Sequence, residues 1–159
     1  MSARRIVIAA VIIALLACIG GAVRHLWFQS PREQMERAQA RFLRAVEKRD
    51  WDTISSLLKD NYMDEFGYDK ESGLEVAKQL LSGFFTLEIE ARQTHIVPAP
   101  DLGFIQMTLK LEGNGNAVAQ MAAQRVNETK APWTFHWKKT GEWPWEWQIM
   151  QIHNTDLVP

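Results

Sequence analysis

An uncharged apolar run near the amino terminus constrains this chain more than any other feature. Residues 6–23 carry no charged side chain, and Arg4 and Arg5 precede them while Arg24 follows. As an α-helix these residues rise about 1.5 Å each and span roughly 27 Å, close to the hydrocarbon core of a bilayer. The sequence therefore predicts a transmembrane anchor within residues 1–28.

Two other interpretations of the segment stay open. A cleaved secretory signal needs a shorter apolar region and a small-residue cleavage site, whereas this run continues through residues 19–23. Residues 15–18, Leu-Leu-Ala-Cys, resemble a lipoprotein signal in which Cys18 would be acylated, but the sequence after Cys18 stays apolar. A retained anchor is favoured, since Trp27 and Phe28 also lie where an interfacial aromatic belt is expected.

The layout of the chain suggests an orientation for the anchor. Basic residues lie near both ends of the run, so the positive-inside rule decides little. A very short N-terminal tail before a long domain is typical of a signal anchor whose domain is exported. We expect residues 29–159 on the periplasmic or extracellular side, with residues 6–23 contacting the membrane.

The composition of residues 29–159 indicates one domain and argues against nucleic acid, metal ions and cofactors as partners. This part holds 15 basic and all 19 acidic residues, a net charge of −4. A nucleic-acid backbone requires a basic surface, so no nucleic-acid partner is expected. The four histidines show no paired ligand spacing, and the single cysteine lies in the anchor, so we predict no metal and no cofactor.

Three amphipathic helices are predicted in the first half of the domain. Ser30 and Glu33 form a capping box before an apolar stripe at helical spacing. Asp50 predicts the N-cap of a short second helix, and Ser72 predicts that of a third. The stripe of the first helix is Met35, Ala38, Phe42, Ala45 and Val46.

After residue 85 the apolar period changes from helical to alternating, which predicts β-strands. A short Ala-rich helix is expected over residues 117–127, between the second and third strands. Near Met150 the alternation slips, which predicts a β-bulge in the last strand. The predicted strands are residues 87–97, residues 103–112, and two tryptophan-rich strands that contain Trp133 and Trp145.

Three helices followed by an antiparallel sheet with one apolar face predict an α+β fold, with the helices packed on a curved sheet. This order of elements resembles that of the nuclear transport factor 2-like superfamily. Three further features support the resemblance: Arg-Asp-Trp-Asp at residues 49–52, Asn-Tyr-Met-Asp-Glu-Phe at residues 61–66 and the tryptophan-rich closing strands. That superfamily also contains ketosteroid isomerase and polyketide cyclases. The resemblance covers residues 32 to about 155, implies a cone that encloses a pocket, and implies no single reaction. The helix at residues 117–127 departs from the simplest version of the fold.

Side-chain parity predicts which residues would face that pocket. The apolar parity of the four strands turns every second residue inward, including His95, and leaves Ile96, His136 and Ile152 on the outer side. No carboxylate shares the inward parity, so paired-carboxylate catalysis of the ketosteroid isomerase type is not expected. The carboxylates on the outward parity are Glu88, Glu90, Glu112 and Glu146.

Histidine offers the remaining route to catalysis. A His95 base oriented by Asp64, with Tyr62 polarising a carbonyl, would suit an isomerase, dehydratase or cyclase. The simpler interpretation makes His95 a strand-end residue bonded to backbone or water, Tyr62 a cap of the core and Asp64 a solvated carboxylate. It is favoured because nothing in their spacing selects for catalysis. We therefore assign no catalytic residue.

The tryptophans are the second candidate cluster. Five of the seven lie between Trp133 and Trp147 on one parity, so they fill the core or stack on a ligand or lipid headgroups. Core filling is favoured, and Trp143, beside Pro144 in the turn, is the one expected to be exposed. The candidate ligand-binding residues are Tyr62, Asp64, His95, Trp133 and Trp145.

The function predicted from the sequence is non-catalytic. We expect a membrane-anchored domain that binds a ligand or assembles with envelope proteins, an arrangement that resembles the inner-membrane subunit of type IV secretion systems in its order of anchor and domain. Small residues four apart in the anchor, Ala10, Ala14 and Cys18, permit close helix packing in the membrane. The superfamily resemblance implies a homodimer through the open sheet face, where Ile96, His136 and Ile152 are expected. The alternative is the small-molecule enzyme described above.

Overall fold

The computed structural model describes residues 11–21 and residues 29–157. Residues 11–21 are helical, with exposed apolar side chains, and belong to a first unit that ends at residue 30. The remainder of the predicted anchor lies outside the described residues. In residues 11–21 and 29–157, no helix combines the length and the apolar character needed to cross a membrane.

The second unit begins at Pro31 and is an α+β domain, as predicted. Its strands form one antiparallel sheet in the order β1-β2-β3-β4, with helices packed against it. The elements in chain order are α1 (Pro31–Lys48), α2 (Trp51–Leu57), α3 (Lys70–Ser82), β1 (Phe84–Val97), β2 (Leu102–Gly115), α4 (Ala117–Asn127), β3 (Trp133–Lys139) and β4 (Trp147–His153).

Local capping explains where the helices begin. The Asp50 carboxylate accepts a hydrogen bond from the Thr53 amide at 3.1 Å, which confirms the predicted cap of α2. The predicted cap of α3 is wrong, because that helix begins at Lys70 and Asp69 caps it. Ser72 is the third helical residue, and its hydroxyl accepts from the Asp69 amide at 3.0 Å to complete the capping box.

The long helix α1 contributes several buried side chains to the core of the domain. Met35, Ala38, Phe42 and Ala45 are buried, as the stripe predicts. Two further polar positions of α1 are buried because each accepts a hydrogen bond from an indole of the sheet. The Trp137 Nε1 atom donates to Gln39 at 2.9 Å, and the Trp147 Nε1 atom donates to Gln34 at 3.0 Å.

A register shift in β1 overturns the predicted parity of its second half. The pairing with β2 slips between Arg92 and His95, and Gln93 has a φ of 51°. The inserted residue moves every later side chain to the other face of the sheet. Ile96 is therefore buried and His95 is exposed, so the prediction that His95 faces inward is wrong.

A second register shift, in β4, confirms the bulge predicted near Met150. His136 pairs with Gln151 and Trp137 pairs with Ile149, so Met150 is the extra residue. Ile152 consequently packs against the core, which corrects its predicted outward position. His153 moves to the outer face beside His136.

The carboxylates of the strands lie where the parity predicts. Glu88, Glu90 and Glu112 are exposed on the sheet. Glu146 precedes β4, is half-buried and accepts a hydrogen bond from the Trp143 amide at 2.8 Å. In the described part of the chain, the inner face of the sheet is therefore free of acidic side chains.

Candidate functional site

Helices α1 to α3 and the end of β4 enclose a cavity of about 150 Å³. Its wall is almost entirely apolar, and the polar groups that reach it are Tyr62 and Asp64, from the loop between α2 and α3. The remaining lining residues are Phe42, Val46, Trp51, Ile54, Leu58, Gly73, Leu74, Ala77, Leu81 and Ile152.

Tyr62 is buried at the edge of this cavity, and the Asp64 carboxylate is close enough to act on its phenol electrostatically. Burial raises the pKa of the Tyr62 phenol above its usual range, and the negative charge of Asp64 raises it further. The phenol therefore stays protonated at neutral pH.

Asp64 organises the loop as well as the cavity. Its Oδ1 atom accepts hydrogen bonds from the Phe66 amide at 2.9 Å and the Tyr68 amide at 2.8 Å. Such bonds from an aspartate to the backbone just after it are typical of turns. Asp64 thus has two backbone donors, and its carboxylate shapes the segment that leads into α3.

His95 lies far from this pair. Tyr62 and Asp64 lie beyond the β4 edge, where the Met63 amide donates to the Met150 carbonyl at 3.3 Å. His95 is on β1, at the opposite edge and on the outer face. Neighbouring strands are spaced about 4.8 Å apart, and three such intervals lie between β1 and β4. The structure therefore brings Tyr62 and Asp64 together and leaves His95 out.

The two candidate tryptophans have different surroundings. Trp133 is half-buried against the core, and its Nε1 atom is buried with no hydrogen-bond partner among the described residues. Trp145 precedes β4 and is exposed, which corrects its predicted place on the inner face. Its ring stacks on that of Trp143, with centroids 5.0 Å apart and planes 21° apart.

An open groove of about 530 Å³ lies outside the core, between β2 and α4. Its polar groups bond to one another. The Gln124 amide donates to Glu128 at 2.7 Å, and the Asn127 side chain bonds both the amide and the carbonyl of Leu111. These bonds join α4 to the sheet, which indicates a structural role.

The outer face of the sheet carries a histidine pair that the sequence did not predict. The rings of His136 and His153 stack with centroids 5.4 Å apart, and Phe104 lies 6.0 Å from His136. The His153 Nδ1 atom is 3.9 Å from Glu65. Only the bulge at Met150 brings His153 to this face. In the described residues, no group of three His, Cys, Asp or Glu side chains is placed to hold a metal.

The histidine pair predicts a loss of stability on acidification. Burial lowers the pKa of His136 below 6.5, and His153 lowers it further while Glu65 opposes the shift. Below pH 6.5 the unfolded chain then binds more protons than the folded chain. The free energy of unfolding therefore decreases as the pH is lowered. Chemical denaturation between about pH 7.5 and 5.5 measures this fall. We expect His136→Gln to make the dependence shallower, and an unchanged slope would contradict this assignment.

Gly73 offers a way to stabilise the helix beside the cavity. A Cβ atom at Gly73 would lie 3.7 Å from Tyr68 and 3.8 Å from Tyr62, both ordinary contacts. Ala is favoured over Gly in a helix interior by about 0.5–1 kcal/mol. We therefore expect Gly73→Ala to raise the free energy of unfolding by about that amount, as measured by urea denaturation. A decrease in the free energy of unfolding would mean that the added Cβ atom has less space than these distances indicate.

Comparison with solved structures identifies the fold as that of nuclear transport factor 2-like proteins. A protein of this kind and of unknown function from Pseudomonas putida KT2440 is 14% identical, with 77% of this chain and 83% of that chain covered and a TM-score of 0.59. The S. rosetta CaMKII hub is 13% identical, with 79% and 95% covered and a TM-score of 0.55. Bd1075 of Bdellovibrio bacteriovorus is 15% identical with a TM-score of 0.60, and the match covers 77% of this chain and 39% of that chain. No protein-family model and no curated protein matches the sequence.

Proposed function

We propose that this chain is a single-pass membrane protein, anchored through residues 6–23, whose α+β domain is a non-catalytic module for assembly with envelope proteins. The anchor rests on the length and apolar character of the run and on the arginines that flank it. The absence of catalysis rests on the filled interior of the domain.

The filled interior is the observation that carries the proposal. Trp137, Trp147 and Phe135 occupy the space between the sheet and α1, and all three are fully or almost fully buried. The apolar cavities beside α1 have about 150 and 160 Å³. Ligand pockets commonly have about 300–1,000 Å³, so either cavity is small for a substrate. A domain with a packed interior is better suited to binding through its surface.

The alternative is a small-molecule isomerase, dehydratase or cyclase. Such an enzyme would need a base near Tyr62 and Asp64, and His95 lies on the far edge and the outer face of the sheet. The Asp64 carboxylate already accepts two backbone hydrogen bonds. These positions favour the assembly module over the enzyme.

Alkaline carbonate extraction tests the anchor. The full chain is expected to stay in the membrane pellet, because an apolar helix of this length resists extraction. Ile12→Lys together with Leu16→Lys places charges in the middle of the run, where each costs about 2.5–3.5 kcal/mol, and should release the chain. Release of the unchanged chain would contradict the anchor.

Native mass spectrometry of the chain, purified from membranes in mild detergent, tests the assembly role. We expect a stoichiometric protein partner and no retained small molecule. A small molecule lost in Tyr62→Phe but kept in Tyr68→Phe would contradict the proposal in favour of ligand binding or catalysis. Tyr68 is the matched control because it is the other tyrosine of the chain and is exposed.

A further inference from the structure

Three features of the domain meet at one end of the sheet. The turn between β1 and β2 is joined to the end of β3, because the Lys139 amide donates to the Asp101 carbonyl at 2.8 Å. The start of α1 lies at the same end, where Gln34 accepts from Trp147 at 3.0 Å. Met35 lies against Gly103, the second residue of β2, where an added Cβ would come within 2.8 Å of it.

This end exposes large apolar side chains. Trp143 is 43% exposed, Trp145 is 54% exposed and Leu102 is 49% exposed. The turn that holds the tryptophans is fixed, because the Thr140 amide donates to the Glu146 carbonyl and the Trp143 amide donates to the Glu146 carboxylate, each at 2.8 Å. The stacked rings are therefore presented to the outside by a rigid turn.

The chain itself limits how far this end can lie from a membrane. Residues 24–30 connect the apolar run to α1, and seven extended residues span at most about 25 Å. If residues 6–23 cross the bilayer, the start of α1 stays within that distance of its surface. The exposed tryptophans lie at the same end of the domain as the start of α1.

The chemistry of this end suits the lipid headgroup region. Indole rings combine an apolar body with one N–H donor, and tryptophan is enriched where membrane and water meet. Acidic and basic residues are mixed nearby, with Asp101 and Glu142 beside Lys138 and Lys139. The attraction would thus come from the aromatic rings rather than from net charge, and it would act on zwitterionic lipid.

We propose that the Trp143–Trp145 pair docks this end of the domain on the headgroup region of the membrane, an inference that rests on the anchor proposed above. Docking at a second point would limit the orientations of the domain and turn the opposite end of the β1–β2 hairpin away from the membrane. Phe85, which is 78% exposed, marks that opposite end.

Site-specific quenching in phosphatidylcholine vesicles tests the docking. In a Cys18→Ser background, Leu102→Cys places an environment-sensitive fluorophore beside the tryptophans and leaves both in place. Phe85→Cys is the matched control, because it is also a large exposed residue of the same hairpin, about 40 Å away at 3.3 Å per residue. Headgroup-proximal nitroxide lipids should quench the Leu102 label and spare the Phe85 label. Adding Trp143→Ser and Trp145→Ser should abolish the difference, with circular dichroism confirming that the fold is kept.

The native Cys18, labelled in the otherwise unchanged chain, separates the two proposals. If the Cys18 label is quenched by acyl-chain nitroxides and the Leu102 and Phe85 labels respond equally, the anchor stands and the docking is overturned. A Cys18 label that lipid does not quench overturns the anchor and the docking that rests on it. A Leu102 label whose emission shifts to the blue without lipid quenching also overturns the docking, because a protein surface then covers the pair.

Discussion

Trp137→Ala is expected to lower the free energy of unfolding by about 3–5 kcal/mol through the cavity that it leaves. Trp137 is fully buried, and its indole fills the space between the sheet and α1. The change also leaves the buried Gln39 oxygen without its donor, which costs about 1–3 kcal/mol more. Since small domains have about 5–15 kcal/mol in total, the variant should be close to unfolding at room temperature.

Trp145→Ala is the matched control for that experiment. The same atoms are removed, but from a ring that is more than half exposed and contacts Trp143. Its loss is expected to cost about 0.5–1.5 kcal/mol, the contribution of an aromatic pair. Urea denaturation of both variants gives the comparison. Equal losses would mean that the two tryptophans share one environment, as their common parity in the sequence suggested.

The sequence predicts the elements of this fold well where the signal is local. The Asp50 cap, the stripe of α1 and the range of α4 all follow from residues within one or two helical turns of each other. Alternation likewise gives the faces of β2, where Ile105, Met107 and Leu109 are buried. Each of these patterns is decided by neighbouring residues, so a single sequence contains it.

Signals that depend on distant contacts are harder to predict. The register shift at residues 93–94 lies in the sequence Arg-Gln-Thr-His, which contains no turn dipeptide. Strand β1 pairs with β2 both before and after this shift. That one inserted residue changed the predicted face of His95. The bulge at Met150 was predictable because two apolar residues, Met150 and Ile152, break the alternation there.

The residue pairs of the candidate sites also divide into one that is local in sequence and one that depends on distant contacts. Tyr62 and Asp64 are two residues apart in one loop, so the sequence brought them together without help from the fold. The His136–His153 pair requires both the β3–β4 register and the bulge, and it was therefore missed. A site assembled across strands can be read from one sequence only when every register between them is known.

Gly113→Ala is expected to destabilise the β1–β2 hairpin strongly. Gly113 has a φ of 155°, a conformation that L-residues rarely adopt, and it pairs with Leu87. A Cβ atom there would lie 2.0 Å from the Thr86 carbonyl oxygen and 3.1 Å from the Leu87 Cα. All of these atoms are backbone, so no side-chain rotation can relieve the clash.

Relief of the clash at Gly113 therefore requires β1 and β2 to separate where the chain approaches α4. Backbone strain of about 1–3 kcal/mol and overpacking of similar size both act against the variant, so we expect a loss of about 2–5 kcal/mol. Gly73→Ala makes the same chemical change with open space around it and should shift stability in the opposite direction. Urea denaturation compares the two, and limited proteolysis between β2 and α4 should show faster cleavage in Gly113→Ala only. Equal stability of Gly113→Ala and the unchanged chain would mean that β1 and β2 do not approach each other this closely.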